Sequence, residues 1–485
     1  MRSADTETIR RLERASDAPG YALMLRAGVG AAVWIARRFV RADRFVVLAG
    51  GGNNGGDALV AAAELYRRRF PVRVFGVKEK SAYRGSAAQA AAELPPGVPW
   101  EVRDFLTAAE FRPGDVIVDG LLGIGFSGGA LKPAVRSFIA TANASGSPVV
   151  ALDLPSGVGG DDGIASPDGA VRAAVTLTFG RPKTGLFRRD GALLRGAMRV
   201  IDIGLPRDDG GSGEEIFTNL DAVRLIPRHP VDVHKNRRGR VLIWGGGPEY
   251  SGAPALAAAG AMYGGAGLVR AASEACLHAP NGAIVRRLHP GENPEEWFPM
   301  SDALVCGCGW GSCGTVENLR TAWKFPGTLV LDADGLNVLA RHPEVWSPRR
   351  NLILTPHPGE AAGLEAAFGL PGTTERGERA ALLAERLAAT VVLKGRDTIV
   401  AAPDGSRCIV AAGSEALATA GSGDVLAGTI GALAAQPDTT ATDAAALGAY
   451  LHGIAGENAP GALIADDLPR LIGQAGRDVR DNANF

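Results

Sequence analysis

Three short stretches in the first half of the chain each end an apolar run with groups able to do chemistry. FVVLA leads into GGGNNGGDAL, residues 50–59, which carries five glycines, Asn53, Asn54 and Asp57. DGLLGIGFSGG, residues 119–129, puts Asp119 on a predicted strand with a second glycine-rich loop behind it. ALDLPSG, residues 151–157, sets Asp153 at a strand end and follows it with Ser156. Glycines let backbone N–H groups approach a ligand closely, and concave nests of such groups bind phosphate. The first loop matches neither GxGxxG nor the P-loop spacing, and no Lys-Ser/Thr pair follows it, so NTP hydrolysis of that kind is disfavoured. Alone, it reads equally as a tight strand-to-helix turn capped by Asp57. Three such loops in succession at one sheet edge look like a site, with two acids, an amide oxygen, a hydroxyl and many free N–H groups. Neutral oxygens beside a carboxylate also suit a monovalent cation, because oxygen donors favour hard ions.

A second constellation lies near the other end of the chain. ATAGSGDVLAG, residues 418–428, reads as a glycine-rich turn that opens a helix. A helix N-terminus presents unpaired N–H groups and a positive dipole end, which favours phosphate. Asp424 in its first turn is placed to accept a proton from a substrate hydroxyl while the helix stabilises a transferring phosphoryl group. The competing reading is an acid that only complements the dipole. VVLKGRDTIVAA predicts a β-hairpin whose turn carries Lys394, Gly395, Arg396, Asp397 and Thr398, suited to nucleotide phosphates. TPHPGE puts His357 and Glu360 at a strand end, with prolines fixing the backbone. His357 serves equally as a hydrogen-bonded structural histidine. Cys306, Cys308 and Cys313 have no histidine nearby and make a poor zinc set, so they read as small buried residues.

The elements that must position these groups follow from apolar periodicity. Residues 6–40 predict two helices around Gly20. RFVVLAG, VRVFGV, DVIVDGLLG, PVVALDL and VTLTFG read as buried strands, with DALVAAAELYRRR and ALKPAVRSFIATANAS as helices between them. Such alternation predicts a parallel sheet covered on both faces, with functional loops at the carboxyl ends of its strands. It stops at LPRDDGGSGEEIFTN, residues 205–219, which reads as a linker. It resumes at RVLIWGGG and continues through ALVCGCG, TLVLDADG, NLILTPHPGE, TVVLKG and TIVAA. The expected fold class is α/β with two domains, residues 1–212 and 213–485, each a mainly parallel sheet flanked by helices. The halves do not read as copies of one another.

Composition narrows the function classes. The chain has 485 residues, too many for one ordinary core. A net charge of −1 gives no electrostatic case for nucleic acid or an anionic membrane surface. The apolar runs are too short to span a bilayer, and the charged N-terminus lacks a signal-peptide core. Five cysteines, an odd number in a long chain, fit a reducing cytoplasm better than a disulfide framework. Lysine is rare, 7 of 51 basic residues, and Lys132, Lys183, Lys235 and Lys394 fall in the segments discussed here.

GGGNNGGDA, VDGLLGIGFSGG, LDLPSG and FGRPKTGL resemble the YjeF N-terminal domain family, the NAD(P)H-hydrate epimerases, over roughly residues 6–205. The resemblance implies a Rossmann-like domain whose substrate contacts are Asn53, Asn54, Gly55, Gly56, Asp57, Gly123, Ile124, Gly125, Phe126, Ser127, Gly128, Gly129 and Asp153. It implies a potassium ion held by Asn54, Asp119 and Ser156, and Asp153 as the acid–base group at C6 of a hydrated nicotinamide ring. HKNRRGRVLIWGGG, SGAPALAAAGAMYGGAGLV, LDADGLNVLA, LTPHPGE, VVLKGRDT and AGSGDVLAG resemble the ribokinase-like superfamily, in its ADP/ATP-dependent NAD(P)H-hydrate dehydratase branch, over about residues 234–455. That resemblance implies that Ala253, Gly311, His357 and Asp424 face the hydrate, and that Asp424 is the base. Lys394, Gly395, Arg396, Asp397, Thr398 and Gly423 would face the adenine nucleotide and its magnesium. GCGWG (307–311) and GSEA (413–416) depart from that branch's usual residues. Together the resemblances imply a repair enzyme for NADHX and NADPHX, which the cysteine count places in the cytoplasm and whose apolar N-terminal helices are expected to pair in a homo-oligomer. It would interconvert their R and S epimers, then dehydrate the S epimer with ADP or ATP, with no nucleic acid or membrane partner. The alternative is a ribokinase-like kinase of a small molecule or vitamin precursor, with an N-terminal nucleotide-binding module.

Overall fold

The computed structural model describes residues 1–18, 20–206 and 213–481. The chain forms two compact units, Met1–Ile216 and a second that begins at Phe217. The expected boundary at residue 212 lies outside the described residues. No single helix among the described residues is long and apolar enough to cross a membrane.

In the first unit, helices α1 (Thr6–Ala15) and α2 (Gly20–Arg38) precede the sheet, as the periodicity predicts. Seven strands follow: β1 (Arg44–Ala49), β2 (Val72–Gly76), β3 (Trp100–Val102), β4 (Asp115–Gly120), β5 (Val149–Leu152), β6 (Val175–Phe179) and β7 (Ala197–Ile201). Their order is β3-β2-β1-β4-β5-β6-β7, and every pairing is parallel. β4, β5 and β6 are buried along their whole length, because helices cover both faces. Ala49 pairs with Gly120, so β1 and β4 end level. The strand order reverses between these two, and loops leaving such a reversal open a crevice. α3 (Asn53–Arg67) starts directly behind the first of them.

The second sheet has ten strands, the first of which in the chain spans the boundary at residues 216–217. They are β8 (Glu215–Phe217), β9 (Arg240–Trp244), β10 (Leu268–Ser273), β11 (Ile284–Arg287), β12 (Ala303–Cys306), β13 (Thr328–Leu331), β14 (Leu352–Leu354), β15 (Thr390–Leu393), β16 (Thr398–Ala401) and β17 (Arg407–Val410). The order is β11-β10-β9-β12-β13-β14-β15-β16-β17-β8. Pairing is parallel from β11 to β15 and antiparallel through β16 and β17. The halves lack a sequence repeat, yet the first six strands of each sheet share one order, three-two-one-four-five-six. β8 corrects the linker reading. Ile216 and Phe217 are buried, an apolar pair too short to show a period inside its acidic, glycine-rich surroundings.

One contact fixes the helix that carries Asp424. The helix Ser422–Ala434 meets the helix Gly252–Tyr263 backbone to backbone. A Cβ added at Gly428 would lie 1.9 Å from the Ala257 carbonyl oxygen, and one at Gly260 would lie 2.3 Å from that of Val425. Neither carbonyl can retreat without bending its helix. Gly428→Ala is therefore expected to destabilise the second unit by about 1–3 kcal/mol, as overpacking does. That corresponds to a fall of several degrees in the melting temperature of a unit this size. Calorimetry checks it, and an unchanged transition contradicts the contact.

Candidate functional site

In the first unit the loops after β1, β4 and β5 do come together. Asn53, Asn54, Asp57, Gly123, Ile124, Gly125, Phe126, Ser127, Gly128 and Asp153 all line one cavity of 1160 Å³. Asp57 is not a cap. α3 begins at Asn53 with Gly52 at its N-cap, which places Asp57 inside the helix with its carboxyl on the cavity. Gly55 and Gly56 serve packing. A Cβ on Gly55 would lie 1.9 Å from the Gly50 oxygen, and one on Gly56 would lie 2.6 Å from the Met24 methyl. Gly129 accepts a hydrogen bond from Ser166 Oγ (2.8 Å).

Asp153 leaves β5 with φ +67°, a left-handed conformation that aspartate visits more readily than most residues. Its Oδ1 pairs with Lys183 Nζ and accepts from Phe179 N (3.3 Å). Its Oδ2 lies 3.5 Å from where a Cβ on Gly123 would stand. Lys183 is 1% exposed and also donates to Phe179 O (2.7 Å) and Thr178 Oγ1 (3.3 Å). The sequence-based set omits Lys183, although lysine is rare and FGRPK leaves β6. It also omits Glu13 of α1, at the cavity rim. Three carboxyls thus surround one ammonium. Burial, then the charges of Asp153 and Glu13, hold Asp57 well above the usual carboxylate range, while Lys183 pulls it down. Glu13 is also raised, by desolvation above all.

Beneath the cavity lies fully buried Asp119. Its Oδ1 accepts from Ser156 Oγ (2.6 Å) and Leu121 N (3.1 Å), and its Oδ2 from Ser156 N (2.9 Å). Burial still pushes its pKa up to about 6. Asn54 Nδ2 donates to Leu122 O (2.8 Å) and Leu152 O (3.1 Å), which fixes the orientation of the amide. Asn54 Oδ1 is then left buried without a hydrogen-bond partner. Ser156 Oγ accepts from Leu122 N (2.8 Å), so the backbone of one residue ties the amide to the hydroxyl and its carboxylate. An orphaned amide oxygen beside a hydroxyl and a carboxylate fits a hard monovalent cation.

In the second unit, Asp424 sits in the first turn of its helix, behind Gly421 at φ +87°. Burial lowers the pKa of His452 to about 4, and its neutral ring donates Nε2–H to Ser422 O (3.0 Å), which steadies the turn. The carboxylates of Asp424 and Asp332 and the Cys308 thiol lie within 4.8 Å of one another. Burial and the Asp332 charge push Asp424 up to about 7. Lys394 bonds Asp332 Oδ1 (2.8 Å) and lies 3.9 Å from Glu360 Oε2. Burial lowers its pKa and those carboxylates more than offset it. Gly423 adjoins it, since a Cβ there would lie 3.5 Å from Nζ.

The remaining expected residues divide. His357 caps the helix Pro358–Ala367, its Nδ1 accepting from Gly359 N (3.0 Å) and Glu360 N (3.2 Å). That is the structural reading, with Nε2 directed at Glu360 Oε1 (3.4 Å). Gly395, Arg396 and Asp397 form the β15–β16 turn and Thr398 opens β16. Ala253 lies beside Gly309. Gly311 lines a separate cavity of 630 Å³ and donates to Asp334 Oδ2 (2.8 Å). Cys306 and Cys308 are buried free thiols, both raised by burial. Asp332 escapes the sequence reading, although LDADG ends a strand in an acid just as ALDLPSG does.

Two α/β units, each with an acid at a strand end or helix start above a glycine-rich cradle, define a two-centre enzyme of the small-molecule class. Residues 20–185 match the family model described as the YjeF-related protein N-terminus, and residues 241–475 match that of NAD(P)H-hydrate dehydratase. The chain is 35% identical to the bifunctional NAD(P)H-hydrate repair enzyme Nnr of Moorella thermoacetica, over 93% of this chain and 91% of the relative. It is 37% identical to that of Gloeobacter violaceus, over 93% and 92%. Among solved structures, the ADP/ATP-dependent NAD(P)H-hydrate dehydratase of Bacillus subtilis aligns at 25% identity with a TM-score of 0.45, covering 56% of this chain and all of that one. The chain belongs to the bifunctional NAD(P)H-hydrate repair enzyme family.

The raised Asp424 carboxyl has a consequence for stability. Its folded pKa of about 7 exceeds the ordinary aspartate value, so between roughly pH 4 and 7 the folded chain keeps a proton that the unfolded chain releases. Stability therefore falls as pH rises through that window. Asp424→Asn should leave the second unit's melting temperature nearly unchanged at pH 4 and raise it at pH 8. Equal differences at both pH values would contradict the shift.

Proposed function

We propose that the protein repairs NADH and NADPH whose nicotinamide ring has taken up water. The first unit, close to residues 1–212, interconverts the R and S epimers, and the second, close to residues 213–485, returns the S epimer to NAD(P)H. C6 of the hydrate carries both the hydroxyl and the ring nitrogen. When Asp153 takes the hydroxyl proton, the C6–N bond opens, with its electrons going to nitrogen. It re-closes on the other face and the proton returns. Potassium supplies a fixed positive charge when bound. Asn54 Oδ1, Asp119 and Ser156 would hold it, a fit supported by the orphaned amide oxygen. Asn53, Asp57 and the run Gly123 to Gly129 shape the substrate pocket in this reading.

In the second unit, Asp424 accepts the proton of the C6 hydroxyl as its oxygen attacks the terminal phosphorus of ADP, or of ATP. The bond from that phosphorus to the bridging oxygen breaks. Phosphate then leaves C6 and a proton leaves C5, which restores the double bond. Magnesium supplies charge neutralisation on the nucleotide when bound. Lys394 to Thr398 and Gly423 are assigned to the nucleotide, and Ala253, Gly311 and His357 to the hydrate. The observation that carries the reading is Asp424, a carboxyl at a glycine-capped helix start, poised near neutrality where a general base works best. A cytoplasmic location belongs to the proposal and is supported by five free cysteines, one of them exposed. Homo-oligomerisation is part of it too, for which α2 offers an apolar helix with Leu25 exposed.

The test is a spectroscopic repair assay on both epimers of hydrated NADPH with magnesium, potassium and either nucleotide. Full return of dihydronicotinamide absorbance is expected. A phosphorylated product that persists would favour the small-molecule kinase instead. Asp153→Ala should stall recovery at the S fraction, and unchanged rates would remove Asp153 from the reaction. Asp424→Ala should lose about 10²–10⁴-fold in dehydration while still binding nucleotide. Exchanging potassium for sodium should slow epimerisation only, and Asn54→Ala should abolish that dependence.

A further inference from the structure

Asp332 follows β13 and is 1% exposed. Its amide donates to Cys306 O (3.1 Å), and the next residue, Ala333, is held at φ +45°, a conformation that persists only where its surroundings over-determine it. Oδ1 accepts from Thr355 Oγ1 (2.6 Å) and Lys394 Nζ (2.8 Å). Oδ2 remains, 3.9 Å from Cys308 Sγ, and a carboxylate oxygen of Asp332 lies within 4.8 Å of one of Asp424. Lys394 is held in turn between Asp332 and Glu360, and Glu360 is itself fixed by His357 N (2.7 Å). We propose that Asp332 is a positioning residue for Asp424: its buried carboxylate anchors Lys394 and presents a second negative oxygen to Asp424, setting the field in which Asp424 takes a proton. This rests on Asp424 being the base of the reaction proposed above.

The groups that act on Asp424, directly or through Lys394 and Glu360, come from six elements. Asp332 follows β13, Lys394 follows β15 and Cys308 follows β12. Asp334 heads the helix Asp334–Arg341, Glu360 and His357 belong to the start of the helix Pro358–Ala367, and His452 lies on the helix Ala441–Glu457. Burial keeps His452 neutral and Cys308 a thiol. Lys394 is the one cation of this group, and it is shared between Asp332 and Glu360. Asp332 and Lys394 therefore act on Asp424 in opposite directions, since a like charge disfavours ionisation and an opposite charge favours it.

That opposition supplies the test. In the full chain, the pH profile of kcat/KM for nucleotide-dependent dehydration of the S epimer is measured for Asp332→Asn, Asp332→Glu and Lys394→Met. Asp332→Asn should move the acidic limb down by about one pH unit, Lys394→Met should move it up, and Asp332→Glu should keep it near the wild-type position. A purely structural Asp332 would lower kcat without moving the limb, and that result overturns the proposal. An infrared titration of the Asp424 carboxyl, its band assigned by loss in Asp424→Asn, reads the same shifts without turnover. If the wild-type chain repairs nothing, the functional reading fails. The coupling of Asp332 to Asp424 then stands or falls on that band, supported by opposite movements in the two variants and overturned by a band that stays put. Should Asp332→Asn not fold, the upward shift in Lys394→Met decides alone.

Discussion

In each unit an ammonium, buried for Lys183 and half-buried for Lys394, pairs with a buried aspartate that has just left the carboxyl end of a parallel strand. Lys183 holds Asp153 after β5, and Lys394 holds Asp332 after β13. Neither partner tolerates the loss of the other, because an unpaired charge in a low dielectric is far more destabilising than the pair. The pairs also hold strained backbone. Asp153 itself has φ +67°, and Ala333 beside Asp332 has φ +45°. Two of seven lysines are committed in this way in a chain that otherwise relies on arginine. A compact ammonium on a flexible stem reaches one buried carboxylate oxygen, where the broad guanidinium fork needs more room and more acceptors.

The two sheets share a strand order and use it differently. In the first, chemistry gathers at the reversal between β1 and β4 and on the next strand, where Gly50 N still bonds Gly120 O (3.0 Å) before the loops part around the cavity. In the second, the loops at the matching reversal between β9 and β12 stay zipped for longer. Gly246 N bonds Cys308 O (2.9 Å) and Gly247 N bonds Gly309 O (2.7 Å). The reactive group is displaced to the helix start at Asp424, reached from β12, β13 and β15. A common scaffold thus supports unlike sites through the length of its loops rather than the course of its strands.

Much of this was legible in the sequence because buried parallel strands are continuous apolar runs. FVVLA, VVAL and TLVL announce themselves, and the glycine clusters behind them mark the cavity loops. Pairings across long separations leave no such trace. Nothing near Lys183 names Asp153, thirty residues away, and nothing near Lys394 names Asp332, sixty-two residues away. Asp57 reads as a cap from its neighbours, but the helix starts earlier because Gly52 gives the turn and Gly55 lets it close against Gly50. His357 shows the reverse. Its Pro-Gly-Glu sequel already describes a capping box, and the structure forms one.

The backbone contact at Gly428 bears on which parts of the second site are free to move. A helix seated on its neighbour with no room for a methyl group between them has no track along which to slide. The turn that presents Asp424 therefore behaves as a fixed anvil. Whatever closes over a substrate there has to come to the anvil, because the anvil itself cannot give.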